Sequence, residues 1–275
     1  MTGSCVKAPP RIELRRPTLQ WAMLEITELN MKRILIVLFT VLAVFAIASC
    51  KNEPAHEHTW DAGTDNGNGK MVYECTECHE TYSAYKNYSI GDTGPAGGLV
   101  FYDCDEDNGT GNADGLKSSE CGWRYLETTS ADLVSPYYCF GYFREDEDAS
   151  NQKAGTSTAV GAGKSNTEAL VAAMGDEAYK ASSGSEKTAD YAARICDDYS
   201  AGGKDDWFLP SKDELDLMYE NLQKEGLGGF ASNDYWSSSE YGDDGSNAWF
   251  QNLSSGVQDN FGRGPNFRVR PVRAF

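Results

Sequence analysis

The residues with the clearest metal-binding chemistry lie in one short window. His56, His58 and His79 are the only histidines of the chain, and Cys75 and Cys78 form a C-x-x-C motif just before the third of them. Two ligands close together, a loop and a C-x-x-C knuckle are what a tetrahedral zinc site needs. A segment this short cannot bury a core, so a bound metal ion would supply its folding energy. The pattern therefore predicts a structural zinc site.

Two other interpretations of this window stay open. Cys75–His79 also matches the C-x-x-C-H haem attachment pattern, although little of the chain could build the helical shell and distal ligand of a c-type haem. The other alternative is a disulfide between the two cysteines, beside solvated histidines. Residues 51–85 also resemble the H-x-H-x-W…C-x-x-C ribbon repeats of bacterial surface proteins. That resemblance implies a small zinc-ribbon-like module that holds Zn²⁺ through His56, His58, Cys75 and Cys78.

A second candidate cation site is an acidic loop in the first half of the chain. It opens like an EF-hand, with Asp103, Asp105 and Asp107 at alternate positions. Its sixth position is Asn108 instead of glycine, and its twelfth is Asp114 instead of glutamate. A solvated acidic loop therefore explains the segment better than a Ca²⁺ site, which stays as the weaker alternative.

An export signal precedes these sites. Lys32 and Arg33 form a basic start, and Ile34–Ile47 is an apolar run with one polar member. The run is too short to span a hydrocarbon core of ~30 Å comfortably. Small residues before Cys50 complete the pattern of a bacterial lipoprotein signal, in which a peptidase cuts before the cysteine and its thiol carries diacylglycerol. We predict lipidation of Cys50; a plain transmembrane anchor is the alternative.

The position of this signal predicts how the chain divides into segments. Because a signal peptide begins at the N-terminus, Met31 is a better start than Met1. We expect a misassigned extension at 1–30, a cleaved signal at 31–49, a lipidated linker with the Cys/His module at 50–85, and a ligand-binding domain at 86–275. The mature protein would be lipid-anchored in the bacterial cell envelope, exposed at the outer-membrane surface, where disulfides are permitted.

Charge and composition exclude several classes of partner. The chain has 42 acidic and 24 basic side chains, a formal net charge of −18 and 40% hydrophobic residues. These values are typical of a globular chain and not of a disordered acidic tail. Nucleic acid is excluded as a partner because binding phosphates requires clustered Lys and Arg. A basic face for anionic lipid is lacking, so membrane contact is expected through the lipid anchor only.

The domain from residue 86 reads as short strands and a few helices. Apolar residues at 99–102 and 122–127 predict strands. Helical periodicity covers about 166–180 and 187–199, and it makes Cys196 a packed thiol. Ser211 and Glu214 form a capping box that opens a third helix. Residues 247–253 alternate like a strand, and 268–275 predict a last strand with alternating arginines.

Several motifs of this domain resemble one family. They are G-x-R-Y-L-E at 122–127, W-F-L-P-S at 207–211, Y-W-S-S-S-E at 235–240, N-A-W-x-Q at 247–251 and the terminal R-V-R-x-V-R-x-F. The chain is similar to treponemal variable surface lipoproteins, whose tails are diversified by retroelements. The resemblance implies an α+β, C-type-lectin-like fold of the formylglycine-generating-enzyme type. It also implies that the C-terminal strand is core, with Trp236, Trp249, Val269 and Val272 as scaffold.

The resemblance further implies an exposed, hypervariable ligand-facing surface between Tyr241 and Phe267. Composition agrees, because the segment mixes aromatic with small polar residues without a period, as adaptable binding surfaces do. The predicted ligand is macromolecular, a protein or a glycan on another cell. The predicted contact residues are Tyr241, Asp243, Asp244, Ser246, Phe250, Asn252, Ser254, Ser255, Val257, Asp259, Asn260, Phe261 and Arg263.

Catalysis is not predicted. No Ser/His/Asp triad is available, because the domain from residue 86 contains no histidine. Its cysteines, at 104, 121, 139 and 196, all precede the late segment in which the related generating enzymes carry theirs. A disulfide between Cys104 and Cys121 is plausible, but the sequence does not determine the pairing. The alternatives to a binding protein are an envelope structural lipoprotein and, less favoured, a degenerate generating-type enzyme.

Overall fold

The computed structural model describes residues 57–105, 116–133, 137–143, 153–243 and 245–275. It is a mixed α+β structure with mainly strands and few helices. Residues Thr59–Phe275 form one compact unit, so the predicted boundary between residues 85 and 86 lies inside it. In the described part of the chain, none of the helices is both long and apolar enough to cross a membrane.

The first sheet is small and belongs to the Cys/His module. It consists of β1 (Thr64–Asp65), β2 (Lys70–Glu74) and β3 (Thr81–Tyr85) in the antiparallel order β1-β2-β3. Tyr85 packs edge-on against Tyr125 of the main domain. Gly69, with φ at +75°, lies so close to the Phe275 ring that a Cβ would fall 2.4 Å from it. The module is therefore packed against the C-terminus.

The second sheet joins the start of the main domain to the end of the chain. It contains β4 (Leu99–Asp103), β5 (Tyr125–Thr128) and β13 (Val272–Ala274), with β5 in the middle. Val272 is fully buried and Phe275 is 4% exposed. The prediction that the C-terminal strand is part of the core is confirmed.

The third sheet carries most of the predicted binding segment. Its five strands are β6 (Tyr137–Cys139), β9 (Asp234–Tyr241), β10 (Asn247–Asn252), β11 (Gln258–Gly262) and β12 (Asn266–Arg268), in the order β11-β10-β9-β12-β6. The pair β7 (Ala178–Tyr179) and β8 (Lys187–Thr188) forms a separate ribbon. The single terminal strand predicted at 268–275 is wrong. Its residues divide between β12 and β13, around Pro271, which has no N–H for a ladder.

Helices cover both cores. They are α1 (Ser118–Cys121), α2 (Gly163–Met174), α3 (Ala192–Asp197) and α4 (Lys212–Met218), and the last continues into a π-helical turn at Tyr219–Gln223. The capping box of α4 is present as predicted. The predicted helix at 166–180 stops at Met174, before Gly175, whose φ is +54°. The helix predicted at 187–199 is shorter, because β8 occupies its first residues.

Two hydrophobic cores result. The first core contains Phe208, Leu215, Met218 and Val272, with α4 over Tyr235. The second core contains Leu170, Cys196, Trp236 and Val269. Cys196 is fully buried, which confirms the packed thiol. Trp236, Val269 and Val272 are fully buried, as predicted for scaffold residues, whereas Trp249 is only half-buried.

Candidate functional site

The β10–β11 hairpin lies at the edge of the five-stranded sheet and has two different faces. Ala248 pairs with Phe261, and Phe250 pairs with Asp259, so these residues share one face. Phe261 is 54% exposed. We call Phe250, Asp259 and Phe261 the outer face of the hairpin.

The opposite face of the hairpin packs towards α4. The Gln251 amide donates to Asp216 at 2.6 Å, and the Gln258 amide donates to the Lys212 carbonyl at 2.9 Å. The Lys212 ammonium lies 4.9 Å from the centre of the Trp249 ring. These contacts fix the hairpin to the scaffold helix; on the outer face Asp259 and Phe261 are exposed, whereas Phe250 packs against the second core.

Neighbouring aromatic rings, of which Trp236 is buried, support the outer face. Phe267 lies 4.4 Å from Trp236, 4.9 Å from Phe250 and 6.5 Å from Phe261, measured between ring centres. The Trp236 indole N–H donates to the Tyr138 carbonyl at 2.9 Å, and the ring is fully buried. The exposed Phe261 ring therefore lies beside an aromatic cluster anchored on the buried Trp236.

The hairpin turn adds small polar groups beside an apolar side chain. The Asn252 side-chain oxygen Oδ1 accepts from the backbone N–H and the hydroxyl of both Ser254 and Ser255, at 2.7 to 3.2 Å. Val257, just after this turn, is 57% exposed. Asn252 thus shapes the turn, while the two serines and Val257 lie at its surface.

The other predicted contact residues are distributed unevenly. Tyr241 is 39% exposed and packs edge-on against Trp249, 5.0 Å away. The Asn260 side chain accepts from the Asn247 amide at 2.9 Å, on the face opposite Phe261. Asp243 is exposed, Ser246 is half-buried, and Asp244 lies outside the described residues.

Arg263 does not belong to the ligand-facing set. Its side chain is fully buried, and its guanidinium donates to Glu240 at 2.7 Å. Glu240 also accepts from the backbone N–H groups of Ala154, Gly155 and Thr156. The predicted exposure of Arg263 is wrong, because a buried ion pair holds the side chain inside the domain.

Three further arginines form similar contacts that sequence reasoning missed. Arg268 and Arg270 both donate to Asp132, at 2.8 and 2.6 Å. Arg273 donates to Glu127 at 2.8 Å and to Asp206 at 2.6 Å. Burial works to raise the pKa of Asp206, but hydrogen bonding to Arg273 outweighs it and lowers that pKa. We call Arg263, Arg268, Arg270 and Arg273 the arginine frame; alternation of charged residues in the sequence was its only signal.

The predicted metal ligands are brought together in part. One ligand atom each of His58, Cys75 and Cys78 lies within 4.8 Å of the others. Cys75 is buried and Cys78 is exposed. His56 lies outside the described residues. His79 instead pairs through Nδ1 with Glu74 at 2.6 Å. One imidazole and two thiols in contact range fit the donor set of a zinc site.

The two carboxylates at the start of the acidic loop already have protein hydrogen-bond partners. Arg124 donates to both carboxylate oxygens of Asp103, at 2.8 to 3.1 Å. Asp105 accepts from the Ser118 hydroxyl at 2.6 Å and from its backbone N–H at 2.9 Å. A Ca²⁺ ion would have to displace the guanidinium, so these contacts disfavour the calcium alternative. Asp107, Asn108 and Asp114 lie outside the described residues.

Comparison with known proteins covers the part of the chain that carries the hairpin and the arginine frame. No curated protein matches the chain. A family model does match, over residues 144–273, and it describes the Lcl C-terminal domain. The matched range contains the outer face, its aromatic support and α2 to α4. The C-terminal half of the chain is thus similar to the Lcl C-terminal domain.

Proposed function

We propose that this protein is a surface-exposed lipoprotein that binds a macromolecular ligand through the outer face and turn of the β10–β11 hairpin. The observation that carries the proposal is the exposure of Phe261 and Val257 on a hairpin fixed to a buried scaffold. The Lcl C-terminal domain family is associated with variable surface proteins, which supports this assignment. The exposed residues between Tyr241 and Phe267 are proposed to be hypervariable through a retroelement; buried Arg263 is not among them.

The chemistry of the hairpin favours a protein or glycan ligand. Phe261 offers apolar area, Asp259 a carboxylate and Ser254 and Ser255 small hydroxyl groups. Aromatic anchors beside small polar groups are typical of adaptable binding surfaces. A net charge of −18 favours a neutral or basic partner and disfavours polyanions.

Adhesion of beads coated with the purified full chain tests the binding proposal. Beads are applied to a panel of bacterial and epithelial cells, and retention is compared with that of uncoated beads. The triple variant Val257→Ser, Asp259→Ala, Phe261→Ala should lose retention while its Tm stays within about 3 °C of the parent. Retention no better than that of uncoated beads would favour the alternative, an envelope structural lipoprotein.

A control variant is available among the exposed apolar side chains outside the β10–β11 hairpin. Tyr137, on the opposite edge strand β6, is 47% exposed, and Leu227 is 40% exposed. Leu227→Ala removes exposed apolar surface outside the hairpin; Tyr137 is kept, because its hydroxyl accepts from Arg268 at 3.3 Å. The Leu227→Ala variant should keep full retention. Equal loss in the control and the triple variant would contradict a specific site.

Anchoring is proposed through diacylglycerol on Cys50. Cells that express the chain and are fed an alkyne fatty acid should incorporate the label, and Cys50→Ala should abolish it. Cys121→Ser is the control, because this cysteine lies outside the signal. Label retained in Cys50→Ala, or a peptide from residues 1–30 in the isolated protein, would contradict the proposed signal.

A structural zinc ion in the module is proposed with His58, Cys75 and Cys78 as ligands, and with His56 as the fourth. The donor set described above supports it. The ion would supply folding energy to a segment too small for its own core. Metal analysis should find one zinc per chain, lost in Cys75→Ser with Cys78→Ser and kept in Cys121→Ser. A haem absorption band, or a Cys75–Cys78 disulfide in the intact chain, would contradict it.

A further inference from the structure

Two cysteines at the ends of the acidic loop lie in direct contact. Cys104 directly follows β4, and Cys121 is the last residue of α1. Their sulfur atoms are 4.0 Å apart. Both thiols donate to one acceptor, the Trp123 carbonyl, at 3.3 Å from Cys104 and 3.0 Å from Cys121. We propose that Cys104 and Cys121 form a disulfide when the chain is oxidised.

The movement required is small. A disulfide needs an S–S distance of about 2.05 Å, so the two sulfurs must approach by roughly 2 Å. Side-chain rotation supplies a movement of this size. The chain at Cys104 is already held beside the chain that carries the shared acceptor. The Cys104 N–H donates to the carbonyl of Arg124, the residue after Trp123, at 2.9 Å.

The positions of the other cysteines in this domain favour this pairing. Cys104 belongs to the first core, and Cys121 packs against that core. Cys139 and Cys196 both belong to the second core, with Trp236 and Leu170. Of the pairings that the sequence leaves open, the sulfur contact described above supports Cys104 with Cys121.

The two thiols differ in accessibility, which sets the order of the reaction. Cys121 is half-buried and lines a surface cavity of about 400 Å³ with Trp123, Lys164 and Glu168. Cys104 is fully buried, and burial raises the pKa of its thiol. A small disulfide oxidant therefore reaches Cys121 first.

The reaction is a two-electron thiol–disulfide exchange. The Cys121 thiolate attacks one sulfur of the oxidant disulfide, forms a mixed disulfide and releases one oxidant thiolate. The Cys104 thiolate then attacks the Cys121 sulfur and displaces the second oxidant thiolate. Two protein thiols lose two protons and two electrons, and the oxidant disulfide is reduced to two thiols.

Trypsin makes the pairing directly measurable, because Lys117 lies between the two cysteines. Cleavage after Lys86, Lys117 and Arg124 places Cys104 in peptide 87–117 and Cys121 in peptide 118–124. The purified, reduced full chain is incubated with oxidised glutathione, its remaining thiols are alkylated, and it is digested without reduction. The expected product is the two peptides linked, which reductant separates.

Variants and a thermal readout complete the test. Cys104→Ser should leave peptide 118–124 unlinked or carrying glutathione, and Cys139→Ser should leave the linked product unchanged. The oxidised parent should unfold about 5–10 °C above its reduced form, and Cys104→Ser with Cys121→Ser should lose that difference. Full alkylation of both cysteines in the parent, or linkage of either to another cysteine, would overturn the proposal.

Discussion

The outer face of the hairpin and the arginine frame are neighbours in sequence, and the fold places them in opposite environments. Phe261 and Arg263 are two residues apart, yet one is 54% exposed and the other is fully buried in an ion pair with Glu240. Val257 and Phe261 are mostly exposed to solvent. Arg270 and Arg273 instead form ion pairs with Asp132 and Glu127, which are distant in sequence. The difference separates an exposed surface, which can change without disturbing the domain, from the buried ion pairs that hold the domain together.

The largest expected effect on stability comes from removing one arginine of the arginine frame. Arg273→Leu leaves Glu127 buried without its cation, which should lower the free energy of unfolding by about 3–5 kcal/mol. Urea denaturation of the full chain measures it. Lys224→Ala is the control, because the Lys224–Glu220 pair is exposed and worth only about 0.3–0.5 kcal/mol. Similar losses in the two variants would contradict a special role for the frame.

An intermediate effect is expected from pH, through Glu214 in the first turn of α4. Burial is the main cause that raises its pKa to about 7, against backbone N–H donors from Ser211, Gly161 and Gly163 that lower it. The folded protein therefore binds this proton more tightly than the unfolded chain does. The resulting stabilisation is complete below about pH 4.5, and it is lost as pH rises through about 7.

The expected size of this pH effect is about 3 kcal/mol. Urea denaturation between pH 4.5 and 8 measures it as the difference between the parent and Glu214→Gln. The variant should show a flatter pH dependence, whatever its absolute stability. Parallel curves for the two proteins would contradict the assignment. Substitution on the outer face should not change the pH dependence of stability. The free energy of unfolding of Phe261→Ala should therefore vary with pH as that of the parent does.

The smallest effect on stability is expected from substitutions on the outer face of the hairpin. Phe261→Ala should change the free energy of unfolding by less than about 1 kcal/mol, because more than half of the ring is already in water. The variant should nevertheless reduce bead retention strongly. A loss of several kcal/mol on urea denaturation would show that Phe261 belongs to the core and not to a binding surface.

Sequence reasoning succeeded where the determinants are local. The capping box of α4 depends on Ser211 and Glu214, which are three residues apart, and it was predictable from that spacing. The arginine frame depends on partners far away in the chain. Arg273 pairs with Glu127 across 146 positions, and no local period indicates such a pair. The predicted exposure of Arg263 was wrong for the same reason.

The predicted metal and binding residues follow the same rule. Cys75 and Cys78 share one short motif, so their proximity was predictable. The division of the hairpin into two faces was not, because it depends on the register between β10 and β11 and on the contacts with α4. Asn260 and Phe261 are adjacent in sequence and lie on opposite faces for this reason.

The most direct test of this account is a saturation scan of residues 241–275 in the full chain. Surface display allows each variant to be sorted once for protease resistance and once for cell binding. We predict retained folding but altered binding on substitution of Ser254, Ser255, Val257, Asp259 and Phe261. We predict loss of folding on substitution of Arg263, Arg270 and Arg273. Tolerance at the three arginines, or loss of folding at Val257 and Phe261, would contradict the separation of binding surface from frame.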